Sequence, residues 1–503
     1  MLLTTLRVAS LGAAFSLLTV IPAAPLGPGI PPATALTARL LTPLSSYFAK
    51  PGDDIKAAVV SPVCIAGTPL PPGAILRGQV KRVQRVGLGI QHETAAMELA
   101  VGQLGLPDGT SYPVEAQLTA IENARERVDR HGVIRGIRAT DSLSSRFSSR
   151  LLFAAHAHPA ILIPALILET WMFRFPEPEI EYRAGAELHL DVHLPAALGP
   201  ASTCPQNDPA PELRAEVQNL LAGLPTWTYS KRQPQPMDPI NLLFVGSRAE
   251  VETAFRAAGW TGSQPNSLRS GFQAVRAIAE NRSYPDAPMR TLLLEGLEPD
   301  LRIQESLDTF GQRDHLRLWR REAQWHGQPV WAAAATHDIA ATFSTRPFGF
   351  THSIQTNLDI ERNKVVRDLE FTGCVDGVIY SRRPESEQEA SRDYRKGLET
   401  DARVAVVLLN SCSDPRSFPV AERIDETPPL ETRLVRRVTL TARNHLIRDN
   451  LVWCTGDAAR LTWHAFRNWE NDRKNEQRIA RQEPERGADT LSAAPALVPA
   501  LGP

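Results

Sequence analysis

Between Leu40 and Leu118, apolar and polar residues alternate in short runs that turn-forming residues cut apart. Ile55-Lys56-Ala57-Ala58-Val59-Val60 and Ile75-Leu76-Arg77-Gly78-Gln79-Val80 show the period of two that puts one strand face in a core. Lys50-Pro51-Gly52-Asp53, Pro71-Pro72-Gly73 and Pro107-Asp108-Gly109 supply the turns. Helical periodicity is absent, so residues 36–199 are expected to form a small β-barrel or sandwich domain. Within it, Asn123 to Arg150 is rich in arginine, which predicts a solvated loop, or else a binding arm for an acidic partner. Leu151 to Phe173 is an apolar run of 23 residues, long enough to span a bilayer. His156, His158 and Glu169 are costly inside a membrane and Pro159 and Pro164 interrupt a helix, so a buried or surface-docked segment is preferred.

Residues 200–237 are rich in proline and alanine and read as a linker with a short helix, Pro211 to Leu221. Beyond them the period changes. Ile240 to Val245 is an apolar strand, and Ser247-Arg248-Ala249-Glu250 is a capping box that opens a helix with Val251, Phe255 and Ala258 inward and Gly259 at its end. A second helix from Ser267 spaces Leu268, Phe272, Val275 and Ile278 for one buried stripe. Strands at Thr291 to Leu294, Leu316 to Arg320 and Val330 to Phe343 precede a third helix, Asp359 to Phe371, which Gly373 stops; strands Val375 to Tyr380 and Val404 to Leu409 follow. The order βααβββαββ predicts an α+β sandwich over 238–410. In the C-terminal extension, 411–480, Thr432 to Arg443 reads as a strand and Asp457 to Arg478 as a helix, with Trp453, Trp463 and Trp469 covering the second domain. Residues 481–503, without aromatics, read as a disordered tail.

The N-terminus adds an address. Arg7 is the only charge before the largely apolar run Val8 to Ile21, which ends at Pro22-Ala23-Ala24, a signal-peptide layout over residues 1–24 with a retained anchor as the alternative. The expected location is the periplasm or cell envelope. Lys plus Arg number 55 against 56 for Asp plus Glu, so no overall field draws the chain to nucleic acid. An envelope protein or a membrane surface is the expected partner. The five cysteines, at 64, 204, 374, 412 and 454, form no Cys-x-x-Cys pair, which excludes a zinc knuckle and a thioredoxin-type site. Cys412 with Cys454 is the pairing considered, against buried free thiols.

Candidate chemistry is sparse. His189, Asp191 and His193 alternate on an expected strand, so they share a face and offer ligands for a divalent metal; a polar, solvent-facing edge is the other reading. In the second domain His315, His337, Asp338, His352, Asp359, Glu361 and Arg362 are the polar residues that strand ends and a helix start can bring together, with His337, Asp338 and His352 as the catalytic candidates. No Gly-x-Ser-x-Gly, phosphate-loop or His-Glu-x-x-His motif occurs, and no cofactor is indicated.

Two resemblances sharpen this. Asp238-Pro239-Ile240-Asn241-Leu242-Leu243-Phe244-Val245-Gly246-Ser247, Ala257-Ala258-Gly259-Trp260, Ser267-Leu268-Arg269-Ser270, His315-Leu316-Arg317-Leu318-Trp319, Pro329-Val330-Trp331 and Thr351-His352-Ser353-Ile354, in that order, are similar to the LssY-like C-terminal domain family. That resemblance implies a bacterial domain found in some relatives behind a membrane phosphatase; here a β domain stands in that place, so phosphatase activity is not implied. The chain departs from the family at Ile303-Gln304-Glu305-Ser306, where Glu305 occupies a position that is cationic in relatives. Residues 59–114, by their Pro-Pro-Gly-Ala-Ile-Leu-Arg-Gly and Leu-Pro-Asp-Gly-Thr-Ser turns, resemble the TrbI-like β-barrel of type IV secretion-channel proteins. The resulting expectation is an exported envelope protein with a non-catalytic binding or scaffolding role; an envelope hydrolase acting on a lipid or cell-wall fragment is the alternative.

Overall fold

Alternation of inward and outward side chains closes the first region into a barrel. In a computed structural model, which describes residues 33–146, 176–195, 201–203, 210–383, 399–416 and 428–443 apart from short breaks, plus a few single positions, six antiparallel strands pair in a ring. They are β1 (Thr34–Leu40), β2 (Asp54–Val59), β3 (Ile75–Gln84), β4 (Ala96–Gly105), β5 (Ser111–Ile121) and β6 (Glu187–His193). The pairing runs β3-β2-β1-β6-β5-β4, and β4 returns to β3. Leu36, Ala38 and Leu40 of β1 and Leu188, Leu190 and Val192 of β6 point into the core with Leu76, Val80, Met97 and Leu104. On the outer face of β1, Thr37 and Arg39 are also buried, which an isolated barrel strand would not show.

The Arg-rich stretch is described as far as residue 146: strands Arg127–Val128 and Val133–Arg135 pair, the latter also with β4, and the Arg125 guanidinium donates to the Glu177 and Glu179 carbonyls at 3.1 and 2.8 Å. The expected solvated loop is therefore partly a hairpin laid on the barrel. Residues 1–24, read from the sequence as a signal peptide, most of Leu151 to Phe173, and residues 481–503 lie outside the described residues.

The second region is a mixed sheet with helices on both faces. Helix α1 (Pro211–Ala222) precedes β7 (Leu242–Val245), α2 (Arg248–Ala257), α3 (Leu268–Ala279), β8 (Leu301–Glu305), β9 (Arg313–Trp325) and β10 (Gln328–Thr345). Strand β11 (Phe348–Ile354), α4 (Leu358–Thr372), β12 (Val375–Arg382) and β13 (Arg403–Leu409) complete it. The sheet order is β8-β9-β10-β7-β13-β12, with β7 parallel to β13 and antiparallel to β10, and β11 pairs with β10. Helices α2 and α4 bury Val251, Phe255, Val365 and Leu369 against one face. Helix α1, read from sequence as part of a linker, packs Val217 and Leu221 against the other face with Leu243 and Trp319.

Local signals account for the helix ends. The Ser247 hydroxyl accepts from the Glu250 amide at 3.2 Å while the Glu250 carboxylate accepts from the Ser247 amide at 2.6 Å. Gly373 closes α4 at φ +76°, a conformation that favours glycine. Two expectations are corrected. Helix α3 does not bury its apolar stripe: Leu268, Phe272 and Val275 are exposed, because the helix packs through the small residues Ser270 and Ala277, the latter beside Tyr284 and Ala287. Residues 430–443 are a helix, α5 (Leu430–Arg443), rather than a strand. Its Leu and Arg content suits a helix, and residues four apart share its buried side: Arg436 bonds Glu177 at 2.5 Å and Glu179 at 2.9 Å, and Leu440 is fully buried. Trp463, expected to cover the second domain, is exposed beside Phe466, whereas Trp453 and Trp469 lie outside the described residues.

Cys412 is disulfide-bonded to Cys374, not to Cys454, tying the end of α4 to the segment after β13. Cys64 is disulfide-bonded as well. Among the described residues, no helix is long and apolar enough to cross a membrane.

Barrel closure depends on a missing side chain. A Cβ built on Gly78 of β3 would overlap the Ala100 carbonyl and the Val101 backbone of β4, at a shift in the β3–β4 register. Gly78→Ala is expected to destabilise the chain by about 1–3 kcal/mol, as overpacking does, read by chemical denaturation. Gly109→Ala, where nothing lies within 4 Å, should not perturb closure; its cost is confined to the strain of its own φ of +89°.

Candidate functional site

Among the described residues, the densest cluster of charged groups lies where the barrel meets α4. Glu361, Lys364 and Asp368 fall on one line of α4, spaced three and four residues apart, and all are buried. Across from them the same-facing residues of the sheet edge are Glu305 of β8, Asp314 of β9 and His337 of β10, which stand opposite one another in the strand register. The barrel contributes Arg39 from β1, Glu187 and His189 from β6, and Glu122 and Asn123 just after β5.

These groups interlock. Arg39 reaches out of the barrel with Nη2 to Asp368 at 2.6 Å and, more distantly, to Glu305 at 3.6 Å, while Nη1 donates to the Ala258 carbonyl at 2.7 Å and Nε lies 3.4 Å from Glu187. Lys364 contacts Glu305 at 2.5 Å, Asp368 at 3.0 Å and Asp314 at 3.5 Å, with the Trp260 ring 5.2 Å away. Arg367 pairs with Glu187. The Asn123 amide donates to Asp314 Oδ2 at 2.8 Å, and His337 Nδ1 lies 2.5 Å from Asp314 Oδ1. Glu122 joins two imidazoles: His189 Nε2 is 2.9 Å from its Oε2, and His337 Nδ1 is 3.7 Å from its Oε1.

Carboxylates outnumber cations here, and the proton affinities reflect it. Burial pushes Glu305 up to about 7, helped by Asp368 and Asp314 and only partly offset by Lys364 and Arg39. Burial, and then the charge of Asp314, hold Glu361 well above the usual carboxylate range. Glu187 goes the other way, down to about 2, because Arg367, Lys364 and Arg39 outweigh the cost of burying it. Asp314 is likewise lowered, by Lys364 and His337 against burial. For His337, burial opposes the charged form, but the hydrogen bond to Asp314 and the charges of Asp314 and Glu122 prevail, and its pKa is raised.

The candidates from sequence are distributed differently from expectation. His337 and Asp338 are consecutive in β10 and take opposite faces. Asp338 belongs to a separate buried cluster with Arg313 at 3.2 Å and His315 at 3.6 Å, where burial lifts its pKa to about 6. His352 stands on β11 opposite Ala341, and its side chain lies outside the described residues. Asp359 and Arg362 pair with each other at 3.2 Å near the start of α4, where Arg362 also holds Asp401 at 2.6 Å. His189, Asp191 and His193 do share the outer face of β6, but residues two apart in a strand stand about 6.6 Å apart, too far for three to bind one ion. His189 instead keeps company with Glu122 and Glu187. Arg39, Glu122, Glu187, Asp314 and Lys364 were not singled out from sequence; the one available signal was arginine inside the otherwise small and apolar run Leu36-Thr37-Ala38-Arg39-Leu40.

Residues 221–401 match the family model described as LssY C-terminus; the LssY C-terminus domain so defined takes in β7 to β12 and α2 to α4, on the far side of this joint from the barrel. No curated protein matches the chain.

Two expectations follow. Lys364→Met leaves buried carboxylates uncompensated and should cost about 3–5 kcal/mol in denaturant unfolding, whereas Arg248→Ala, at the exposed pair with Glu252, should cost under about 1 kcal/mol. Stability should also depend on pH. Glu305, Glu361, Asp338 and His337 bind protons more tightly folded than unfolded, so their contribution is full in acid and declines as pH rises through their native pKa values. Glu187 and Asp314, lowered on folding, lose theirs only as pH falls below the ordinary carboxylate range. The thermal midpoint is therefore expected to be higher near pH 5 than near pH 8, and Glu305→Gln should flatten the difference; a higher midpoint at pH 8 would contradict the assignment.

Proposed function

We propose that this chain is an exported, non-catalytic binding or scaffolding protein of the bacterial cell envelope, whose β-barrel presents the LssY C-terminus domain in one fixed orientation. The carrying observation is the buried joint: Arg39 of the barrel sits among Asp368, Glu305 and Glu187, so the acid and base groups of this region are engaged in holding two domains together. Two further points support the reading. His337 and Asp338 face opposite ways and join different clusters, which leaves no geometry for them to share one substrate. The Cys374–Cys412 disulfide and the bonded Cys64 suit an oxidising compartment, in keeping with the signal-peptide layout of residues 1–24. The ligand of such a protein is an envelope protein or the membrane surface.

Fractionation of a bacterial host making the full chain tests this. Release by osmotic shock, or retention on the envelope, with Cys374 and Cys412 resistant to alkylation until reduced, is the expected result. Recovery in the cytoplasm with both thiols free would overturn the export half. Turnover of a lipid ester, phosphodiester or peptidoglycan fragment that vanishes in a folded His337→Ala variant would overturn the non-catalytic half.

A further inference from the structure

The joint contains a cluster that hydrogen bonding alone leaves incomplete. One ligand atom each from Glu122, Asp314 and His337 lies within 4.8 Å of the other two. Asp314 and His337 come from neighbouring strands of the LssY C-terminus domain, and Glu122 comes from the barrel. The outward-facing oxygens are already oriented by protein donors. Asp314 Oδ2 takes the Asn123 amide and lies near Lys364, and Glu122 Oε2 lies against His189. That leaves Asp314 Oδ1 and Glu122 Oε1 directed at His337 Nδ1, at 2.5 and 3.7 Å.

Two buried oxygens beside this cluster accept no hydrogen bond. Glu361, only 2% exposed, feels the charges of Asp314 and Glu122, and its Oε1 has no hydrogen-bond partner. Asn123, 3% exposed, donates to Asp314 while its own Oδ1 is unpartnered. Buried acceptors without donors cost on the order of 1–3 kcal/mol each, and here they accompany the two carboxylates and the imidazole of the cluster. The second group of potential ligands, Glu122 with Glu187 and His189, is a poorer site because Arg39, Arg367 and Lys364 already surround Glu187.

We propose that Glu122, Asp314 and His337, backed by Glu361, bind a divalent transition-metal ion that pins the barrel to the LssY C-terminus domain. One imidazole nitrogen with carboxylate oxygens is a donor set that Zn²⁺ and Mn²⁺ accept. His189 and Asn123 take the supporting positions, holding the ligating carboxylates through their second oxygens or their amide contacts. Binding displaces the proton between His337 and Asp314 to solvent, since the imidazole ligates as the neutral base. His337 and Glu122, 11% and 22% exposed, give the ion a way in, while Asp314 is closed off. The inference is independent of the scaffolding reading, because a metal at this joint would fix the two domains whatever the protein binds.

The test uses the full, untagged chain, stripped with a chelator and then titrated with Zn²⁺ or Mn²⁺ by calorimetry and by thermal unfolding, with Mg²⁺ as control. One Zn²⁺ or Mn²⁺ per chain, with a rise in the thermal midpoint, is expected. Glu122→Gln should weaken that binding at least about tenfold and remove the thermal rise, whereas His326→Ala, at an exposed histidine elsewhere, should change neither. Should Glu122→Gln fail to fold, His337→Gln gives the same reading. Absence of stoichiometric binding to the wild-type chain overturns the site, and so does binding that survives unchanged in both variants, which would mark adventitious surface ligation.

Discussion

A guanidinium on the outer wall of a β-barrel can leave water only if another body brings carboxylates to it. Arg39 is 1% exposed, on a strand whose inward residues already fill the barrel. Its burial is therefore a property of the two domains together, and the LssY C-terminus domain supplies Asp368, Glu305 and the Ala258 carbonyl that make it tolerable. Desolvating such a cation costs several kcal/mol. Arg39 and Asp368 thus act as a geometric key: small displacements of one domain leave a buried charge uncompensated, so the joint has one low-energy arrangement.

The carboxylates recruited for that purpose exceed the cations, and the excess shapes everything nearby. Lys364 and Arg367 extend from α4 to neutralise part of it, and Trp260 donates its indole N–H to Asp368 at 3.0 Å. What remains is handled by protons, on Glu305, Glu361 and His337, or by a metal ion at the Glu122 side. Those solutions are alternatives for the same electrostatic deficit. Helix α5 repeats the device, with Arg436 in a buried pair with Glu179.

Local order was readable in the chain and long-range order was not. The α2 capping box, the Gly373 stop and the strand β10 all follow from residues within a few positions of one another, and each formed as expected. Helix α5 misled because a run such as Leu434-Val435-Arg436-Arg437-Val438 fits either period, and burial of Arg436, paired with Glu179, and of Leu440 four residues on goes with the helical one. The site was half visible. His337 and Glu361 stood among the polar candidates, but their partners Asp314, Glu122 and Arg39 are ordinary charged residues in strands or turns. Asn123 meets Asp314 across 191 positions and Arg39 meets Glu187 across 148, separations at which no spacing rule operates.

The pair His337-Asp338 shows why adjacency misdirects a search for chemistry. In an irregular loop, neighbours of this kind can converge; in β10 the pleat sends one side chain toward α4 and the barrel and the other toward Arg313, His315 and the second face. The same strand end thus feeds two buried ionic clusters separated by the thickness of the sheet. Arg313 and Asp314, next to each other on β9, divide in the same way, so each face receives a charge and a countercharge from the two strands. An edge of sheet with ion pairs on both faces must be covered on both faces. That requirement places the barrel over the Asp314 side, and it makes the LssY C-terminus domain of this chain dependent on its barrel for a covered joint.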